Sequence, residues 1–216
     1  KYAREIDEII TGNYSASPEI QKAWADLYSG RVLYENADDK SVVNPLLSTI
    51  WDQSPYYNEL CPYDNSYGEK TVTGCVATAM AQVMKYHNHP QQGSGFHSYN
   101  HSTYGTLSAN FGNTSYNWSQ MPNSINSANN AVATLMYHCG VGVEMNYGVA
   151  ATGGSSTNSL DVVANALKEF FSYASSTQFV ERESYSNYQW IQMMKSELDA
   201  SRPMEYGGIG QGGGHA

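Results

Sequence analysis

TGCVATAMAQVMKYHNHP, residues 73–90, sets Val76, Ala79, Met80, Val83, Met84 and His87 at i, i+3, i+4, i+7 spacing. That period predicts an α-helix with one buried face, and it puts Cys75 in the first turn. There the unpaired N–H groups and the positive end of the helix dipole favour thiolate over thiol. The same position also suits a small buried residue packing a helix start, as many free cysteines do. Spacing alone leaves both readings open.

Working outward, a second helix is expected over 128–139, with Val132, Leu135, Met136 and Cys139 inward and Gly140 as its stop. Val141, Val143, Met145 and Tyr147 then alternate as in a half-buried strand, followed by a Gly/Ser loop over 150–156. Leu160, Val163, Leu167 and Phe170 share a face of a helix near 158–171, and Trp190, Ile191, Met194 and Leu198 repeat that pattern near 187–199. Pro203 opens a strand candidate over 204–209, and the glycine-rich tail GQGGGHA delivers His215. Between 90 and 122 no period is sustained, so loops and short strands are expected.

Upstream, residues 1–40 carry 13 of the 31 charged residues, so the composition changes near residue 40. Ser17-Pro18 reads as the start of a helix bearing Ile20, Trp24 and Leu27, with a linker or processing site around 31–45. The 216 residues suffice for one main domain, and a net charge of -9 argues against a nucleic-acid partner. Nothing resembles a membrane-spanning run or a secretory leader, so no membrane insertion is expected and any export signal lies upstream.

Three cysteines, Cys61, Cys75 and Cys139, form neither a disulfide framework nor a metal motif. The spacing gives no metal site, and no cofactor is expected. Cys139 reads as core, and Cys61 as a loop residue without a role. Six histidines compete as a base: His87, His89, His97, His101, His138 and His215. His87 lies about three turns from Cys75 on one helix, too far to touch it. His215 follows three glycines, which clear side chains from a cleft and make it the best of several.

The 73–90 segment closely resembles the nucleophile helix of the streptopain family of secreted bacterial cysteine proteases, including its interpain-type members in oral Bacteroidales. The resemblance continues in order through Tyr116-Asn117-Trp118, Val143-Glu144-Met145-Asn146-Tyr147-Gly148, Pro203 and Gly213-Gly214-His215-Ala216, covering about residues 43–216. It implies an α+β, papain-like fold of two subdomains, a helical half holding Cys75 and an antiparallel sheet half holding His215. It further implies a catalytic Cys75–His215 pair and an oxyanion hole made by Gln53 and the Cys75 backbone N–H. Substrate contacts fall at Thr152 and Gly214, with a hydrophobic residue preferred before the cleaved position.

On the same comparison residues 1–42 match the end of an inhibitory propeptide, an intramolecular partner, and 43–216 a catalytic domain. Family members continue past their histidine with further strands that orient the imidazole, so the chain is expected to be truncated just after His215. The implied activity is that of a secreted zymogen hydrolysing peptides and proteins. Two other readings share parts of this pattern: a papain-like amidase or transglutaminase, and a non-catalytic Tyr-rich binding module motivated by 18 tyrosines.

Overall fold

A computed structural model describes residues 18, 21, 22, 25, 43–210 and 213–216. The chain divides into two units, Lys1–Val42 and Val43–Ala216. In the first, the four described residues are helical; the expected Ile20, Trp24 and Leu27 face, most of the 31–45 linker and the propeptide reading lie outside the described residues.

The second unit is α+β. Its helices are α1 (Cys75–His87), α2 (Asn130–Gly142), α3 (Asp161–Phe170) and α4 (Asn187–Asp199). Its strands pair as three antiparallel two-stranded sheets: β1 (Tyr63–Asp64) with β2 (Glu69–Lys70), β3 (His97–His101) with β4 (Gly105–Ala109), and β5 (Gly208–Gly210) with β6 (Gly213–His215). The β3–β4 hairpin and several 3-10 turns fill the stretch expected to be irregular.

Helix α1 packs against α2 at the centre of the core, and the Cys139 thiol meets the Met84 sulfur at 3.7 Å. Whereas the period predicted one buried face, Ala77, Thr78 and Ala81 are buried beside Val76, Met80, Val83 and Met84, and His87 is exposed. Small residues on what would be the outer face let neighbouring chain close over it. Around this pair, Phe111 stacks on Phe170 at 4.5 Å between ring centroids and meets Phe171 edge-on at 5.3 Å. Trp51 and Trp118 send their indole N–H groups to the carbonyls of Pro122 and Pro90, as buried indoles require.

Two expectations around α2 are corrected. Gly140 does not end the helix, which runs to Gly142; a Cβ at position 140 would overlap the Tyr147 hydroxyl, so the glycine serves close packing. The alternation from Val141 to Tyr147 is real in burial but is not a strand. After the helix, Glu144 at φ 49 reverses the chain, and only Asn146 makes a ladder contact, with Ser156. Alternating burial here records a turn threading the core edge, which a period of two cannot distinguish from a strand.

Helix α3 buries Val163, Ala164, Ala166, Leu167 and Phe170. Helix α4 begins with a capping box made by Ser186 and Gln189, yet none of its residues is buried. The strand expected over 204–209 shrinks to Gly208–Gly210, because β6 offers partners only through Gly213, Gly214 and His215.

Candidate active site

Cys75 opens α1 directly after Gly74, whose φ of 89 is accessible to glycine at little cost. A Cβ on Gly74 would lie 2.8 Å from both Cε and Sδ of Met145 and 3.2 Å from Cβ of Ser155. The nucleophile loop is thus seated directly on those two side chains. Behind it, Thr78 donates its hydroxyl to the Gly74 carbonyl at 2.9 Å, and its oxygen lies 2.9 Å from the buried Thr73 hydroxyl. Thr71 and Thr73 are fully buried, so the approach to Cys75 runs through protein interior.

Burial sorts the three thiols. Desolvation pushes the Cys61 thiol up to about 12 and raises Cys139 well above the ordinary range, with the Glu205 carboxylate adding to the latter. Both are therefore held as thiols in the core, the outcome expected for Cys139 but not legible for Cys61. Cys75 alone is half-buried. It combines partial access with a helix N-terminus, the setting in which a cysteine is reactive.

Gln53 is half-buried, and its backbone carbonyl accepts from the Thr73 N–H at 3.3 Å, placing it against the segment two residues before Cys75. His215 is exposed on β6, opposite Gly208. Its hairpin is anchored from both sides: a Cβ at Gly207 would overlap Leu160, and Ala216 packs against the core. No hydrogen bond joins Cys75 to His215 among the described residues. Thr152 is exposed with its hydroxyl turned back onto the Val149 carbonyl at 3.0 Å, and Gly214 pairs with Ile209.

Other histidines are engaged elsewhere. The His138 imidazole is pushed down to about 4 by burial and stays neutral, its Nδ1 hydrogen-bonded to the Tyr116 hydroxyl at 2.8 Å. His97 pairs with Glu144 at 3.0 Å on the surface, and the His101 Nδ1 accepts from the backbone of Thr103 and Tyr104. Among the described residues no cluster of His, Cys, Asp or Glu could hold a metal ion, and no helix is long and apolar enough to cross a membrane. A cavity of about 580 Å³ lies between the start of α3 and residues 178–185, and one of about 240 Å³ lies along α3; neither is lined by Cys75, Gln53 or His215.

Sequence reasoning passed over Ser155, hidden in a Gly/Ser loop. It is buried and donates to the Val72 carbonyl at 2.6 Å while accepting from the Gly148 N–H at 3.0 Å. Nothing in the composition of such a loop marks which serine turns inward. Its one clue is position, eight residues after Tyr147 and within reach of the same turn that carries Met145.

The α+β fold is that of papain-like cysteine peptidases. Within that class the sequence matches the Peptidase C10 family over residues 51–216. It is 34% identical over 229 residues to streptopain of Streptococcus pyogenes, covering 100% of this chain and 54% of that protein. Against the thiol protease/hemagglutinin PrtT of Porphyromonas gingivalis it is 35% identical over 231 residues, covering 100% of this chain and 25% of that protein. The fold matches active wild-type interpain A of Prevotella intermedia with a TM-score of 0.73 and 38% identity, over 80% of this chain and 74% of that one. A prointerpain A fragment from the same organism gives a TM-score of 0.72 and 33% identity over 96% of this chain and 65% of the fragment. The chain belongs to the peptidase C10 family. It spans about half the length of streptopain and a quarter of PrtT.

Proposed function

We propose that residues 43–216 carry the catalytic machinery of an exported cysteine endopeptidase, with Cys75 as nucleophile and His215 as its base. The observation carrying this reading is that Cys75 is the one partly accessible thiol and opens a buried helix, with Gln53 hydrogen-bonded to the loop before it. In the reaction the thiol proton passes to the imidazole, and the thiolate attacks a peptide carbonyl. The oxyanion is met by the Gln53 amide and the Cys75 N–H. The imidazolium returns its proton to the leaving amine, and water, activated by the neutral imidazole, releases the acyl group. Thr152 and Gly214 contact substrate backbone, and the residue before the cleaved position is hydrophobic.

Residues 1–42 serve as the end of an inhibitory propeptide. In support, the proenzyme fragment covers 96% of this chain, whereas the active form covers 80%. The test is Cys75 alkylation by iodoacetamide against pH, for the intact chain and for one cut near residue 40, alongside hydrolysis of peptides with an apolar residue before the scissile position. A thiolate persisting below about pH 6 after the cut, and masked before it, supports the reading. Hydrolysis that survives Cys75→Ala overturns it.

A further inference from the structure

Val72 and Gly148 face each other like partners in an antiparallel ladder, but only half of the pair is direct. The Val72 N–H donates to the Gly148 carbonyl at 3.1 Å. The reciprocal bond is replaced by a relay, in which the Gly148 N–H donates to Ser155 Oγ at 3.0 Å and that hydroxyl donates to the Val72 carbonyl at 2.6 Å. Ser155 also lies against the other end of the same tripeptide, its Cβ 3.2 Å from where a Cβ on Gly74 would stand. One buried serine therefore holds Val72 by a hydrogen bond and Gly74 by contact, and Cys75 is the next residue.

The serine is itself fixed. Its neighbour Ser156 exchanges both backbone bonds with Asn146, at 2.8 and 3.1 Å, and Asn146 follows Met145, the second side chain under Gly74. The two segments 145–148 and 154–156 thus form a rigid cradle under residues 72–74. From this geometry we infer that Ser155 is a positioning residue for the nucleophile, its hydroxyl acting as a spacer that sets where the Cys75 thiol and backbone N–H point. This rests on Cys75 being the nucleophile, which the Cys75→Ala control tests separately.

Removing the hydroxyl leaves two choices: the ladder closes directly, or the Gly148 N–H and Val72 carbonyl go unpaired. Either shifts the residues ahead of Cys75, and displacements of about 1 Å in an active site cost up to about a hundredfold in rate. The experiment compares Ser155→Ala and Ser155→Thr, the latter keeping the hydroxyl, each cut near residue 40, by melting temperature, by Cys75 alkylation rate across pH, and by kcat and KM on a peptide substrate. Expected for Ser155→Ala is a fall of about tenfold or more in kcat with KM within threefold, a slower or alkaline-shifted alkylation profile, and recovery of both in Ser155→Thr. A lower melting temperature with the alkylation profile unchanged assigns Ser155 a merely structural role and overturns the inference. The alkylation readout needs no turnover, so it decides the point even if the chain cleaves no peptide. Should Ser155→Ala not fold, amide exchange in the unaltered protein decides: the Gly148 N–H must be protected as strongly as the Val72 N–H, and free exchange at Gly148 refutes the relay.

Discussion

Glu205, on the extended segment before β5, has both carboxylate oxygens shut off from solvent and without a hydrogen-bond partner among the described residues. Burial pushes its pKa up from 4.5 to about 8. In the folded chain it is therefore protonated at neutral pH, whereas in the unfolded chain it is ionised above about pH 4.5. The folded state holds the extra proton, so the stability this group permits is fully present below pH 4.5 and is lost as pH rises toward 8. At about 1.36 kcal/mol per unit, the ceiling at pH 7.5 is about 4 kcal/mol, reduced to about 2 kcal/mol where water reaches the group. Glu205→Gln keeps the shape and removes the titration. It should match the unaltered protein near pH 4.5 and exceed it near pH 7.5 by about 2 kcal/mol, roughly 5 °C in melting temperature. Urea unfolding at pH 4.5, 6 and 7.5 measures the difference. Parallel stability curves for the two proteins would refute the argument that this carboxyl is neutral when folded.

Native protein cut near residue 40 and treated with iodoacetamide at pH 7 should take up one label, on Cys75, with Cys61 and Cys139 labelled only after denaturation; peptide mass mapping reads this directly. Gly74→Ala places a methyl against Met145 and Ser155 at a φ of 89 and should cost about 1–3 kcal/mol of stability together with most of the Cys75 reactivity. Tyr116→Phe removes the hydroxyl paired with His138 Nδ1 and leaves that buried nitrogen unpaired, lowering stability by about 1–2 kcal/mol in urea titrations at pH 7.5.

The helices were readable because their periods are long: the start of α1, both ends of α4 and the inward set of α2 follow the spacing, although Trp190, Ile191, Met194 and Leu198 of α4 are not buried. Gly140 misled because a glycine within a helix and a glycine after one look alike in sequence, and only the Tyr147 hydroxyl pressed against it decides between them. The 141–147 alternation misled for a related reason, since a reversing chain at the core edge also buries every second residue. For the site, the helix start singled out Cys75 but left a packing role open, and the catalytic reading of Cys75, His215 and Gln53 alike came from the family resemblance. Ser155 escaped both, because its role depends on a contact across 83 residues of chain.

His138 supplies a titration of opposite sign, and the two together shape how stability depends on pH. Its imidazole falls from 6.5 to about 4 on burial, so the folded state holds fewer protons than the unfolded. Its contribution is complete above pH 6.5 and is lost as pH falls toward 4. Descending from pH 8, the Glu205 group alone raises stability until about pH 6.5. Between 6.5 and 4.5 each group holds a difference of about one proton between folded and unfolded states, of opposite sign, and the two slopes cancel. The unaltered protein minus the double variant Glu205→Gln/His138→Gln should therefore give a difference curve that rises from pH 8 to 6.5 and is flat to about 4.5. Against Glu205→Gln alone the difference curve should keep rising toward acid down to about pH 4.5, and against His138→Gln alone it should be flat above pH 6.5 and fall toward acid. Because His138 and the Glu205-sensitive Cys139 are adjacent on α2, the singles also test independence: a double-variant curve that departs from the sum of the singles by more than about 0.5 kcal/mol would show one coupled buried site instead of two separate titrations.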